Sequence, residues 1–255
     1  MAAGKIGRRI AESNAGVARC TIPGCKRQTM RGAGNGLSST HCRYHVQQKA
    51  RHGSHWHPSY SAGELRPYLK TATMWLKAHQ EDRFVAAALA KLDALLLTSG
   101  PVEHYNDLID MPPAKKAKVA LARVREAGIK PLRLLAIHMA MSALIEEDSG
   151  SHRVTEFKIV QVAKCVHRLA SGTHRRWEMW QLNDKPPVVT ELHKYPRPSG
   201  RPLRFLGKAI DDACGDATST HLQAFIGLKR VRFGLHPSQL PGWLPFWHPK
   251  RHAAR

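Results

Sequence analysis

Three thiols and an imidazole lie near the start of the chain in the order Cys20-x4-Cys25-x16-Cys42-x2-His45. They form two close pairs on separate short segments. Four N/S donors arranged this way are what a tetrahedral Zn²⁺ site takes. Gly24, directly before the second cysteine, permits the tight turn that aims both sulfurs at one point. The offset of Cys42 and His45 suits the first turn of a helix, where residues three apart share a face. His41 offers a rival imidazole beside Cys42, and the x2 spacing favours His45. A catalytic zinc needs an open coordination position with an acid or base beside it. No acidic residue lies between Cys20 and Gly53, so the pattern predicts a closed, structural zinc site. The segment has too few apolar residues to bury its thiols in any other way.

The same stretch carries a wider likeness. Gly24-Cys25-Lys26-Arg27, Cys42-Arg43-Tyr44-His45 and Arg51-His52-Gly53 follow the order of motifs in a known type of segment. It resembles the short zinc-binding segments of phage and bacterial proteins that often stand beside HNH nuclease or AP2-type DNA-binding domains. The resemblance covers residues 19–53. It implies that Cys20, Cys25, Cys42 and His45 hold the metal, and that the setting is a phage or bacterial mobile element. It also implies the cytoplasm of a bacterial host and favours DNA over RNA as the polymer bound.

Charge gives an independent pointer to the partner. The 255 residues carry a formal net charge of +21, with a pI near 10.3. Such a balance attracts polyanions, nucleic acid first and anionic membrane second. The excess is +9 in residues 1–60, +1 in residues 61–150 and +11 in residues 151–255. Two basic ends therefore flank a near-neutral middle that is rich in apolar residues. Within the zinc segment, Lys26, Arg27 and Arg31 fall on the loop, and Arg43, Lys49 and Arg51 on the predicted helix. These are the candidate nucleic-acid contacts, joined by Arg175 and Arg176, which precede Trp177 and Trp180. No apolar run reaches 18 residues, and MAAGKIGRRIAESN lacks the apolar core of a secretory signal. Five cysteines, three of them clustered, fit a reducing compartment and metal binding better than disulfides.

The elements behind the module read as mainly α: a small zinc-binding module, then a multi-helix domain with irregular Pro- and aromatic-rich segments. The expected divisions are a flexible basic N-terminus (1–18), the module (19–53), a His/Ser-rich linker (54–62) and a helical core (63–171). A Pro/aromatic/basic connector (172–202), a C-terminal helical segment (203–236) and an aromatic, basic tail (237–255) complete the chain. Ser61-x-x-Glu64 reads as a capping box, although Pro67 suits a helix that begins near Arg66. Residues 82–97 are apolar around most of the circumference and should be buried. Asp110-Met111-Pro112-Pro113 starts a helix with the stripe Ala117, Ala120, Leu121 and Val124, and Pro131 opens the most apolar helix of the chain. One more helix covers residues 153–170. Beyond the connector, LRFLGKAIDDAC reads as a short helix, and Thr220-x-x-Gln223 as the cap of a second one.

Other reactive side chains have simpler readings. His52, His55 and His57 read as solvated linker histidines, and His138 as a core histidine with a hydrogen-bond partner. Asp211, Asp212, Cys214 and His221 read as helix surface and a buried thiol in preference to a metal set. The rings and cations after Gly172 suit either base stacking or packing on the helical core. The sequence lacks a dinucleotide fingerprint, a P-loop and an HNH arrangement, so no catalytic residue is assigned. The expected function is a non-catalytic, zinc-containing nucleic-acid-binding protein. Two other classes fit: an adaptor that docks an acidic protein partner through the module and the aromatic C-terminal part, and a nuclease-related enzyme built from residues such as His138, His174 and Glu178.

Overall fold

A computed structural model describes residues 18–30, 37–170, 173–181, 186–193 and 200–244. The chain is mainly helical. Among the described residues there are seven α-helices: α1 Arg43–His52, α2 Ala62–Ala78, α3 Arg83–Leu97, α4 Pro113–Glu126, α5 Pro131–Glu147, α6 Thr155–Leu169 and α7 Arg201–Phe233. Strands β1 Thr173–Met179 and β2 Val188–His193 pair as an antiparallel hairpin. The chain divides into two compact units. One is Ser59–Leu240, and the other comprises Met1–Pro58 with Pro241–Arg255. No single helix is long and apolar enough to cross a membrane.

In the larger unit, α5 is the central helix. Its residues from Leu134 to Ile145 are all buried, as expected of a helix that is hydrophobic all round. Helices α2, α3, α6 and α7 pack around it. Local signals set the ends of these elements. Ser61 and Glu64 form a capping box: Ser61 N–H donates to Glu64 Oε2 at 2.7 Å, and Glu64 N–H to Ser61 Oγ at 3.2 Å. That cap starts α2 at Ala62, ahead of the Arg66 start suggested by Pro67, so the proline sits inside the helix. Asp82 caps α3 by accepting from the N–H groups of Phe84 and Val85. Arg125 of α4 then donates to the Leu96 carbonyl at the end of α3, at 3.2 Å, and to the Gly100 carbonyl just beyond it, at 2.8 Å.

Three elements depart from the sequence reading. Helix α3 buries only the stripe Val85, Ala88, Leu92 and Leu96, and Leu97 is 66% exposed. Its alanines therefore supply helix propensity more than core. The C-terminal segment forms one continuous helix of 33 residues, about 50 Å long at 1.5 Å per residue. Thr220 does not cap a second helix, because its hydroxyl donates to the Asp216 carbonyl one turn earlier at 2.8 Å. Within the expected irregular connector lies the β1–β2 hairpin, with Trp177 opposite Thr190 and Met179 opposite Val188. Trp180 is 79% exposed, which rules out core packing for that ring.

The long helix crosses α6 at Gly207. A Cβ built there would lie 2.0 Å from the Ile159 carbonyl oxygen, a backbone atom that a side-chain rotation cannot move. Gly207→Ala should therefore force the two helices apart and cost up to about 3 kcal/mol of stability. Gly215, with open space around it, is the control: Gly215→Ala should be neutral or mildly stabilising through helix propensity. Paired chemical-denaturation curves measure both.

Candidate metal centre

Among the described residues, the smaller unit is built on two short segments and one helix. Arg19 and Gln28 form an antiparallel bridge, supported by hydrogen bonds from Cys20 N–H to the Arg27 carbonyl and from Thr29 N–H to the Ala18 carbonyl, both 2.9 Å. Between them the chain reverses at Gly24, which takes φ +76°, a region open to glycine. The reversal is closed by Cys25 N–H donating to the Ile22 carbonyl at 3.0 Å. The second segment is tied on by Thr21 N–H to the Thr40 carbonyl and Met30 N–H to the His41 carbonyl. It runs into α1 with Cys42 as the N-cap residue and His45 on the first turn.

These elements bring Cys20, Cys25, Cys42 and His45 together, with one donor atom from each lying within 4.8 Å of all the others. His45 Nδ1 is 3.1 Å from Cys20 Sγ and 3.4 Å from Cys42 Sγ, and Cys25 Sγ lies 3.9 Å from Cys42 Sγ. The cysteines are all free thiols. A tetrahedral zinc with ordinary bond lengths spaces its sulfurs about 3.8 Å apart and sulfur from nitrogen about 3.6 Å. The donor set and its spacing thus fit a metal site. Among the described residues no other group of three or more His, Cys, Asp or Glu side chains converges in this way.

The electrostatics differ from ligand to ligand. Burial pushes the Cys25 thiol up. Burial opposes ionisation at Cys42 too, but the backbone N–H groups of His45 and Tyr44 at the start of α1 help to outweigh it, and that thiol falls below its ordinary value. Burial, with His41 and Arg27 nearby, lowers the pKa of His45, which favours the neutral imidazole that a metal ligand requires. His41, the rival, is engaged elsewhere. Its ring stacks on His55 with centroids 3.7 Å apart, and Nδ1 lies 2.8 Å from Thr40 Oγ1.

No protein-family model matches the chain, and neither curated proteins nor solved structures give a significant match.

Around the cluster, Cys20, Ile22 and Cys42 form a small core against which Trp56 packs. Residues 54–58 of the expected linker belong to this unit, and His57 is buried, not solvated. Ser54 is buried and accepts from His57 N–H at 3.0 Å, and His57 Nδ1 lies 2.7 Å from the Pro58 carbonyl. His55 Nδ1 is 3.3 Å from the His45 carbonyl. Lys26, Arg27, Arg43 and Arg51 are exposed and Lys49 is half-buried, whereas Arg31 lies outside the described residues. One feature escaped the residue pattern: the Arg27 guanidinium sits 4.7 Å over the Tyr44 ring, and Tyr44 is exposed. The pair adds a flat, cationic patch next to Arg43.

The remaining candidates lie in the larger unit. Arg175 and Arg176 stand on β1, as do His174 and Glu178. His138 is buried in α5, with Nδ1 2.8 Å from Thr218 Oγ1 and Nε2 2.7 Å from Asp211 Oδ1. Lys158 reaches the same Asp211 oxygen at 2.7 Å. Burial pushes the Asp211 carboxyl up, but hydrogen bonds from His138 and Lys158 prevail and hold it at about 2. The network ties α5, α6 and α7 together. Asp212 pairs with Lys208, and His221 Nε2 lies 3.0 Å from Asp82 Oδ1, so Asp211, Asp212, Cys214 and His221 do not form a cluster. Cys214 is buried, and burial raises its thiol far above the ordinary range.

Proposed function

We propose that this protein is a zinc-containing nucleic-acid-binding protein, non-catalytic, in which the metal holds a small cationic module in shape. The observation that carries the proposal is the Cys₃His cluster with Arg27, Arg43 and Arg51 exposed around it. Zinc suits three thiolates and an imidazole better than the hard cations do, since those prefer oxygen. It would hold the Cys20–Cys25 turn against the start of α1, so that the basic residues keep a fixed spacing. No carboxylate lies between Cys20 and Gly53 to compete for them. Phosphate oxygens are the natural partners of such an array, and the Arg27–Tyr44 pair offers a face for an unstacked base or a sugar. DNA is favoured over RNA, and a phage or mobile-element setting is proposed, on the resemblance of residues 19–53.

Binding of the zinc-loaded protein to duplex DNA, single-stranded DNA and RNA at several salt concentrations tests the reading. Micromolar or tighter affinity with a steep negative salt slope is expected. Arg43→Ala and Arg51→Ala should each weaken binding to all sequences alike and reduce the slope by about 1. Affinity that does not depend on zinc, or variants that bind as the parent does, would leave only the nonspecific attraction of a polycation.

A further inference from the structure

A groove of about 850 Å³ runs along one face of α2, from Ala62 to Ala78, and Arg133 at the start of α5 completes its lining. Leu65, Leu69 and Met74 give it an apolar surface. Four of its ten lining residues are cations, Arg66, Lys70, Lys77 and Arg133, and none is acidic. None of these four makes an ion pair with a described residue. Elsewhere in the larger unit Lys91, Arg153, Lys158, Arg204, Lys208, Lys229 and Arg230 all have carboxylate partners. Other cations of this unit, Lys115, Lys118 and Lys130 among them, also have no described carboxylate partner, but Arg66, Lys70, Lys77 and Arg133 stand together along one apolar groove.

We infer that this groove is a docking site for an acidic amphipathic helix of a partner protein. The groove follows a helix of 17 residues, about 25 Å long, which matches four to five turns of a partner. Apolar side chains at i, i+3, i+4 and i+7 of the incoming helix would cover Leu65, Leu69 and Met74. Carboxylates on its flanks would meet Arg66, Lys70, Lys77 and Arg133. Other occupants fit less well. A second copy brings a net charge of +21 and repels. The chain's own ends have the wrong sign, since residues 1–17 hold three cations and one acid, and residues 245–255 three cations and no acid. A nucleic-acid backbone gains nothing from an aliphatic lining that offers no aromatic ring for stacking.

The test uses the full-length, zinc-loaded protein and a fluorescein-labelled 18-residue peptide, designed as a helix with a leucine stripe flanked by glutamates. Fluorescence anisotropy should give saturable binding that a scrambled peptide of the same composition does not reproduce. The double variant R66E/K70E should weaken it at least about tenfold. L69S should weaken it too, and K115E/K118E, with the same charge change on exposed positions of α4, should leave it nearly unchanged. Equal binding of the scrambled peptide, or equal loss in K115E/K118E, overturns the proposal in favour of bulk charge. So does an R66E/K70E variant that loses binding to DNA or to phosphatidylserine vesicles while keeping the peptide. A melting curve of each variant confirms that it is folded.

Discussion

Cys42→Ser should release the metal and unfold the smaller unit while leaving the helical unit intact. Cys42 is the most buried of the four clustered residues, at 2% exposure, and it caps the start of α1. Serine keeps the size but loses the thiolate, the soft ligand zinc requires. Binding free energy of a structural zinc is about 10–16 kcal/mol and doubles as folding energy. Beyond the backbone hydrogen bonds of its two segments, the smaller unit has little apolar packing. Its small core consists of Ile22 and the two cysteines, with Trp56 packed alongside, and full burial of an isoleucine contributes only about 2–3 kcal/mol. Metal content per chain should fall from one to well below one in the variant, with affinity reduced at least about a hundredfold, since even residues that only support a metal ligand cost 10–100-fold. In amide spectra, residues 18–58 should collapse to poorly dispersed positions while signals from Ser59–Leu240 stay in place. His41→Ala should retain the metal, because His41 lies outside the cluster. Full metal content in Cys42→Ser, or its loss in His41→Ala, would show that the ligand set is different.

The Cys₃His cluster was legible in the sequence because ligand chemistry is local. Two close pairs and one glycine turn describe the site almost completely. The starts of α4 and α5 were legible for the same reason, since Pro113 and Pro131 act within one turn of themselves, whereas for α2 the Ser61–Glu64 cap prevailed over the later start that Pro67 suggested. What escaped depends on neighbours distant in the chain. Helix α7 reads as two pieces because Asp211, Asp212, Gly215 and Asp216 interrupt its apolar pattern. In the structure Asp211 is turned to use by His138 of α5 and Lys158 of α6. The alanines of α3 look like core until α7 and α5 are seen to cover only one side. The cations of the α2 groove form an ordinary solvated stripe in sequence. They gain meaning only because Arg133, from another helix, closes the row and no carboxylate answers it.

The same dependence on distant neighbours makes Glu147 the most consequential single residue of the helical unit. Its side chain is 1% exposed at the end of α5, with Oε2 2.7 Å from Lys229 Nζ and Oε1 2.7 Å from Arg230 Nε. Lys229 is 2% exposed, and its ammonium also donates to the Gly234 carbonyl at 3.1 Å and lies 4.3 Å over the Tyr68 ring. Glu147→Ala would leave that ammonium buried opposite an empty space, which costs about 3–5 kcal/mol. For a unit of this size the melting temperature should drop by roughly 10 °C. Replacing both partners should recover much of the loss, because two apolar side chains of similar volume need no charge compensation. The comparison of Glu147→Leu, Lys229→Met and the double variant measures the coupling directly. Acidity should act through the same group. Burial raises the Glu147 carboxyl, but Arg230, Lys229 and Tyr68 outweigh it and hold it below its ordinary value of 4.5. A depressed folded pKa makes this contribution complete above about pH 4.5, where the unfolded carboxyl is already ionised, and removes it as pH falls towards the folded value. Stability of the parent should therefore decline more steeply below pH 4.5 than that of Glu147→Leu/Lys229→Met, as followed by denaturation midpoints from pH 6 downward. Parallel declines in the two proteins would place the acid-sensitive charge elsewhere, with Asp211 between His138 and Lys158 as the next group to replace.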